Sequence, residues 1–177
     1  MRFCLLLAPL ALSLASCGAT PSDVDADKTL HETMVDIIAP ATDQIETIAF
    51  ELYNDNGELD PRRLNDTQWD ELMKAGDSIE QAALHLARSK DLVIARDGVT
   101  LENEGNEGGA SIADVAAWLE ADTEGFAAEA SKLAGAGQAV SWAAESRDAM
   151  DLDRSAAALT DTCTSCHQKF WYPDQAQ

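Results

Sequence analysis

The chain has 177 residues, and 32 Asp and Glu against 12 Lys and Arg give it a formal net charge of −20 at pH 7. This length allows one domain or two small ones and excludes a large multidomain enzyme. The charge argues against a nucleic-acid partner, because phosphate binding needs clustered Lys and Arg. Hydrophobic residues make up 46% of the chain and charged residues 25%, which is the balance of a globular protein.

The first 16 residues have the pattern of a cleaved signal peptide. One Arg at the start is followed by a short apolar run and then by small residues, and the run falls short of the roughly 20 apolar residues that span a membrane. Its end, Leu14-Ala15-Ser16-Cys17, resembles the bacterial lipoprotein cleavage box. That resemblance implies a mature chain that begins at a lipidated Cys17. The alternative is an ordinary secreted protein cut nearby, in which Cys17 is incidental.

Residues 17–27 are small, polar and acidic, which predicts a flexible tether between the lipid and a folded domain at 28–177. Several acyl chains together hold a protein durably on a bilayer. We therefore expect the protein on the periplasmic side of a membrane. Gly18 stands where inner-membrane lipoproteins of enteric bacteria typically carry Asp, and this favours the outer membrane.

Apolar residues with a period of about 3.6 predict four helices in the folded part. The first helix is expected to kink or restart at Pro40 and to stop at Asn54-Asp55-Asn56-Gly57. Its apolar face consists of Leu30, Met34, Ile37, Ile38, Ala41, Ile45, Ile48 and Leu52.

The second helix is predicted to begin around Asn65–Thr67, with Thr67 and Asp70 as a capping box. A solvated loop at Asp97–Gly109 separates it from the third helix, which Ser111 and Asp114 cap and which runs to Val140, with Gly135 and Gly137 as a soft point. Apolar residues on these two helices include Trp69, Leu72, Met73, Gly76, Ile79, Ala83, Leu86, Ile112, Val115, Leu119, Phe126, Ala130 and Leu133.

The fourth helix is predicted from Asp148–Asp151 to Tyr172-Pro173. Its inner face carries Leu152, Ala156, Leu159, Cys163, Cys166, His167 and Phe170. Four helices with short to medium connections predict an all-α, antiparallel four-helix bundle.

Cys163-Thr164-Ser165-Cys166-His167 is the C-x-x-C-H pattern of covalent c-type haem attachment. The spacing puts both sulfurs on one side of a helical turn, so each can form a thioether with one haem vinyl group. His167 rises from the same face and can be the proximal ligand of the iron. The pattern therefore predicts one covalently bound haem c with its iron.

Three other kinds of site can contain a pair of cysteines three residues apart. A zinc site needs four ligands, and only His31 and His85 offer further imidazoles. A thioredoxin-type redox pair usually follows a strand at the start of a helix, whereas this pair lies near a helix end. A structural disulfide suits an oxidising compartment, but cysteines three residues apart in a helix make a poor staple.

A helical chain with one C-x-x-C-H close to its C-terminus resembles class II c-type cytochromes, the cytochrome c′ group. The specific part is the run from Leu159 to Phe170, and Trp69 with Leu72, Ala75 and Ile79 is a weaker one. The resemblance implies a bundle that encloses the haem, with the first helix across its distal face. The resemblance is also compatible with a homodimer. The chain departs from the pattern at Trp171, where a basic residue is usual, at Pro40, and in the acidic loop 97–109.

Met34 is the expected sixth ligand of the iron, because it lies on the apolar face of the first helix where this family has its distal residue. His31 is the second candidate, and an open site is the third. We expect a periplasmic, membrane-tethered carrier of single electrons, not an enzyme, whose acidic surface meets a redox partner with a basic surface. The alternative is a module that binds or senses NO or CO at an open distal site.

Overall fold

The computed structural model describes residues 28–172, which form an all-helical fold with no strand in that range. Helix α1 consists of an α-helical turn Leu30–Thr33, a π-helical segment Met34–Ile38 and an α-helix Ala39–Phe50. After a 3-10 turn at Pro61–Arg63 come α2 (Asp66–Arg88), α3 (Ile112–Ala121), α4 (Thr123–Ser146) and α5 (Ala149–Phe170). The predicted signal peptide, Cys17 and the tether lie outside the described residues. Within them, no helix is both long and apolar enough to cross a membrane.

The four longer helices pack in a ring in which α1 contacts α2, α2 contacts α4, α4 contacts α5, and α5 returns to α1. The side chain of Glu46 on α1 meets Thr160 on α5, and that of Tyr53, three residues after the end of α1, meets Asp153 on α5. Residue numbers thus rise along one segment as they fall along the other. These two helices are therefore antiparallel. The all-α prediction is confirmed, and the packing is compatible with a helical bundle.

The core is built from the apolar faces that the helical period predicts. Side chains from all five helices and the segment after α1 are less than 2% exposed, among them Ile45, Leu52, Leu72, Ile79, Leu86, Val115, Val140, Leu152 and Leu159. Each fully buried Leu or Ile contributes about 1.5–3 kcal/mol of transfer free energy. Burial of these faces therefore holds the helices together.

Pro40 does not end α1, because a π-helical segment precedes it. The backbone N–H of Ala39 donates to the carbonyl oxygen of Met34, five residues earlier. The α-helix then restarts at Ala39, with Pro40 in its first turn. A proline inside a helix lacks an N–H donor and disturbs the regular α-helical pattern, and the π-helical segment lies directly before it. The predicted restart is thus achieved without a break in the helical segment.

The third predicted helix is two helices, so the prediction of four helices was wrong in this region. Asp122 leaves the helical conformation, with φ −144° and ψ 62°, and separates α3 from α4. Its carboxylate accepts the backbone N–H of Gly125 at 2.9 Å, which caps the start of α4. A short Asp side chain competes with the helix for backbone donors and favours such a cap.

The predicted caps are partly confirmed. Ser111 with Asp114 forms a capping box, and Asp148 caps α5. The cap of α2 is Asn65 with Gln68 and not Thr67 with Asp70, because the helix begins at Asp66.

Helix α4 runs unbroken past Gly135 and Gly137, where a soft point is predicted.

Candidate functional site

Helix α5 carries both motif cysteines toward the interior. Leu159 and Phe170 on the same helix are buried, and Cys163 and Cys166 between them are half-buried against the core. Both cysteines are free thiols. The helix thus presents two sulfurs, one turn apart, to the interior of the fold.

A narrow cavity of about 20 Å³ lies beside Cys166 and His167. A cavity of that size holds about one water molecule. It is lined by Leu30, Met34, Val115, Leu119, Phe126, Cys166, His167, Phe170 and Trp171. Helices α1, α3, α4 and α5 all contribute to this wall. The structure therefore brings together Met34, Cys166 and His167, three of the residues that the sequence predicts for the site.

Aromatic rings frame the cavity at the end of α5. Phe126 and Phe170 meet edge to face with ring centroids 5.6 Å apart. The rings of His167 and Trp171 lie 6.3 Å apart. The carbonyl oxygen of His167 accepts the backbone N–H groups of Trp171 and Tyr172, each at 2.8 Å. These contacts fix the last turn, on which His167 stands.

Both thiols are held in the protonated form. Burial, followed by the charge of Glu129 and the neighbouring Cys163, raises the pKa of Cys166 to about 11. The pKa of Cys163 is also raised, by burial first and then by Glu46. Reactive redox cysteines have the opposite property, a lowered pKa. The thiol electrostatics therefore argue against a thioredoxin-type pair.

The imidazole of His167 is the second donor type at the site. The residue is exposed on one side, yet neighbouring apolar groups desolvate its ring and lower its pKa below the usual value. A histidine with a lowered pKa is neutral at pH 7, and a neutral imidazole is the form that binds a metal.

The other predicted candidates lie elsewhere. His31 is half-buried at the start of α1 but does not line the cavity, and its backbone N–H donates to the carbonyl oxygen of Ile94 at 2.8 Å. His85 lines a separate groove with Lys28, Lys90 and other residues. No group of three or more His, Cys, Asp or Glu side chains within residues 28–172 is placed to hold a metal ion by itself.

Sequence reasoning missed Glu129 and the role of Phe126 in the cavity wall. Phe126 was predicted only as core. Glu129 is buried next to Ala130, and its signal in the sequence is an acidic residue three positions after Phe126, on the side of the helix that is otherwise apolar.

No protein-family model, curated protein or solved structure matches the chain. The fit of a cofactor therefore rests on the chemistry of the residues themselves. Two protonated thiols three residues apart, a neutral imidazole and a methionine on the facing helix are donors of the kinds that could hold a covalent haem. A larger hollow of about 230 Å³ adjoins the cavity and shares Leu119 and Phe126 with it. The donor types suit a haem, and Leu119 and Phe126 line both spaces.

Proposed function

We propose that the chain is a membrane-tethered c-type cytochrome that binds one haem covalently and carries single electrons. The observation that supports this proposal best is the cavity wall, which joins Cys166 and His167 of the motif to Met34 of α1. Cys166 and His167 lie 132 and 133 residues after Met34 in the sequence, so their meeting with it was not dictated by the motif. In the proposed holoprotein, α1, α2, α4 and α5 form an antiparallel four-helix bundle around the haem, as in class II c-type cytochromes.

Each residue of the site has a role in holding the group. Cys163 and Cys166 supply the thioether sulfurs, and His167 supplies the proximal nitrogen. When bound, the haem iron supplies the one-electron Fe(III)/Fe(II) couple. Met34 supplies a thioether sulfur from the opposite helix, and such a ligand favours Fe(II) and raises the potential. If Met34 is not the sixth ligand of the iron, His31 is the second candidate for that position.

The apolar wall limits the contact of the site with water. Its side chains are at most 8% exposed at Val115, Leu119, Phe126 and Phe170. A low-dielectric surrounding disfavours the more highly charged state of the iron, so this wall also raises the potential.

Helix α3 is the part of this wall that is held most lightly. It contributes Val115 and Leu119, and its contacts with α4 and α5 are sparse. We therefore propose that α3 moves aside when the haem is attached, since Leu119 lines both the cavity and the adjoining hollow.

The rest of the chain supports a place at a membrane surface. In this proposal the signal peptide at 1–16 directs export, Cys17 carries the lipid, and residues 17–27 tether the domain to the periplasmic side of the outer membrane. The net charge of −20 would steer the protein toward a redox partner with a basic surface, an effect that weakens with salt.

The test is export of the chain in a host that attaches haem to c-type cytochromes. The purified product should be coloured, should carry the mass of one haem on the polypeptide, and should keep its colour after extraction with acidified acetone. The double variant Cys163→Ala/Cys166→Ala, exported in parallel, should be colourless. A colourless wild-type product would overturn the proposal.

A second candidate function is the binding of NO or CO. It is favoured by the apolar character of the cavity, in which His167 is the one imidazole among the lining residues. Small neutral molecules enter dry apolar cavities readily. A low-spin ferric spectrum that ignores both gases supports electron transfer, whereas a high-spin spectrum that changes with either gas supports gas binding.

A further inference from the structure

Among the Asp, Glu, His, Lys and Arg residues in 28–172, Glu129 alone is buried, with 8% of its surface exposed. A carboxylate is seldom buried unless it is paired, because it loses its hydration. Glu129 lies on α4, the helix that faces the C-x-x-C-H motif across the interior. The partners of this buried carboxylate must therefore compensate for its lost hydration.

The two carboxylate oxygens of Glu129 point to different partners. Oε1 accepts from the ammonium of Lys132, one turn along α4, at 2.8 Å. Oε2 faces the hydroxyl of Ser165 at 3.4 Å. Ser165 lies between the two cysteines of the motif, so the carboxylate contacts the very turn that carries both sulfurs.

Glu129 places its charge beside Cys166, because its carboxylate contacts Ser165, the neighbour of Cys166 in the sequence. Lys132 and Lys169 are the cations to weigh against it. The side chain of Lys132 is 63% exposed and that of Glu129 10%. Lys169 is 42% exposed and pairs with Asp122 at 2.7 Å. Water screens the two exposed ammonium groups more than the buried carboxylate, so a negative field remains at Cys166.

We propose that Glu129 is a positioning residue that holds a fixed negative charge beside Cys166 and thereby lowers the reduction potential of the haem. This inference rests on the proposed function. The oxidised iron carries one more positive charge than the reduced iron, so a nearby carboxylate favours Fe(III). Glu129 thus opposes the apolar wall and Met34, which both raise the potential.

The first experiment needs no haem. The full chain is produced without haem attachment, and the alkylation rates of Cys166 and Cys163 are compared for iodoacetate, an anion, and iodoacetamide, its neutral analogue. The rate with iodoacetate divided by the rate with iodoacetamide reports the local electrostatic potential, because the fraction of thiolate affects both rates equally and cancels. In Glu129→Gln the ratio at Cys166 should rise several-fold, while the ratio at Cys163 stays the same. The matched control is Glu145→Gln, an exposed residue of the same helix.

The second experiment measures the midpoint potential of the haem-loaded protein. Glu129→Gln should shift the Fe(II)/Fe(III) ratio about tenfold toward Fe(II), which is about 59 mV for a one-electron couple. Lys132→Gln removes the ammonium partner of the carboxylate, so it should shift the Fe(II)/Fe(III) ratio in the opposite direction, toward Fe(III). Glu145→Gln should have a much smaller effect. Helical content and the absorption spectrum report whether each variant keeps its fold and iron ligands.

The outcomes separate the two proposals. Equal shifts for Glu129→Gln and Glu145→Gln, or an unchanged alkylation ratio at Cys166, would overturn the role of Glu129. A product without haem would overturn the proposed function, while the alkylation ratio would still measure the charge at Cys166. If the haem-free chain does not fold, the potential measurement alone decides.

Discussion

Gly76 on α2 and Gly137 on α4 meet backbone to backbone. A Cβ atom on Gly76 would lie 2.6 Å from the carbonyl oxygen of Gly137, and one on Gly137 would lie 2.8 Å from the carbonyl oxygen of Gly76. Neither oxygen can yield without movement of a whole helix, because both belong to the backbone. The hydroxyl of Ser141 donates to Asp77 beside this contact, at 2.5 Å. The two glycines therefore set how closely α2 and α4 approach.

Gly137→Ala should destabilise the protein by about 1–3 kcal/mol, the usual cost of overpacking a core. Gly135→Ala is the matched control, because a Cβ on Gly135 has open space around it. That change should stabilise α4 by up to about 1 kcal/mol through helix propensity. Urea unfolding measures both free energies. Equal effects of the two substitutions would refute the role of the close contact.

Met34→Ala should convert a low-spin iron to a high-spin one and lower its potential, because the thioether that favours Fe(II) is lost. The absorption spectrum and a redox titration measure this. Met73→Ala is the control, since Met73 is also half-buried against the core but does not line the cavity. An unchanged low-spin spectrum would exclude Met34 as the ligand and direct attention to His31.

Glu32→Gln should remove a stabilising contribution that depends on pH. Hydrogen bonds from Arg96 and from the backbone of Thr29 lower the pKa of Glu32 from 4.5 to about 2. Because the folded-state pKa is lowered, this contribution is present above pH 4.5 and is lost as the pH falls toward 2. Thermal unfolding should show a lower Tm for the variant at pH 7 and a difference that narrows toward pH 2. A difference that stays constant over this range would contradict the ionic origin.

Cys17→Ser should release the protein from membranes without a change in its haem spectrum, because the lipid is the proposed anchor. Cys163→Ser is the control and should remain with the membrane fraction. Fractionation of cells that express each variant, followed by detection of the protein, measures the distribution. Retention of Cys17→Ser in the membrane would show that another part of the chain holds it there.

Much of the fold follows from local patterns. The buried positions of α1, α2 and α5 recur at helical spacing, and the caps at Ser111 and Asp148 have the residue types that caps need. The break at Asp122 was missed because apolar residues continue at helical spacing on both sides of it. Periodicity records which residues face the core, but it does not record a cap that interrupts the helix.

Only the part of the site that lies on α5 could be predicted from the sequence. The spacing of Cys163, Cys166 and His167 is visible in the sequence because all three stand on α5. The wall that faces them comes from α1, α3 and α4, and its composition depends on how those helices pack. Glu129 and Phe126 take part through tertiary contacts that no local pattern states.

The π-helical segment Met34–Ile38 has a consequence for changes in chain length. Its N–H groups reach back five residues, so this turn accommodates one residue more than an α-turn does. Deletion of a single residue here would convert the wide turn into a regular α-turn, whereas a deletion within Ala39–Phe50 would rotate everything before it by about 100° relative to the rest of the helix. The first deletion would leave Leu30 on the cavity wall, and the second would turn it away. Met34–Ile38 is therefore the stretch of this helix in which the loss of one residue disturbs the cavity least.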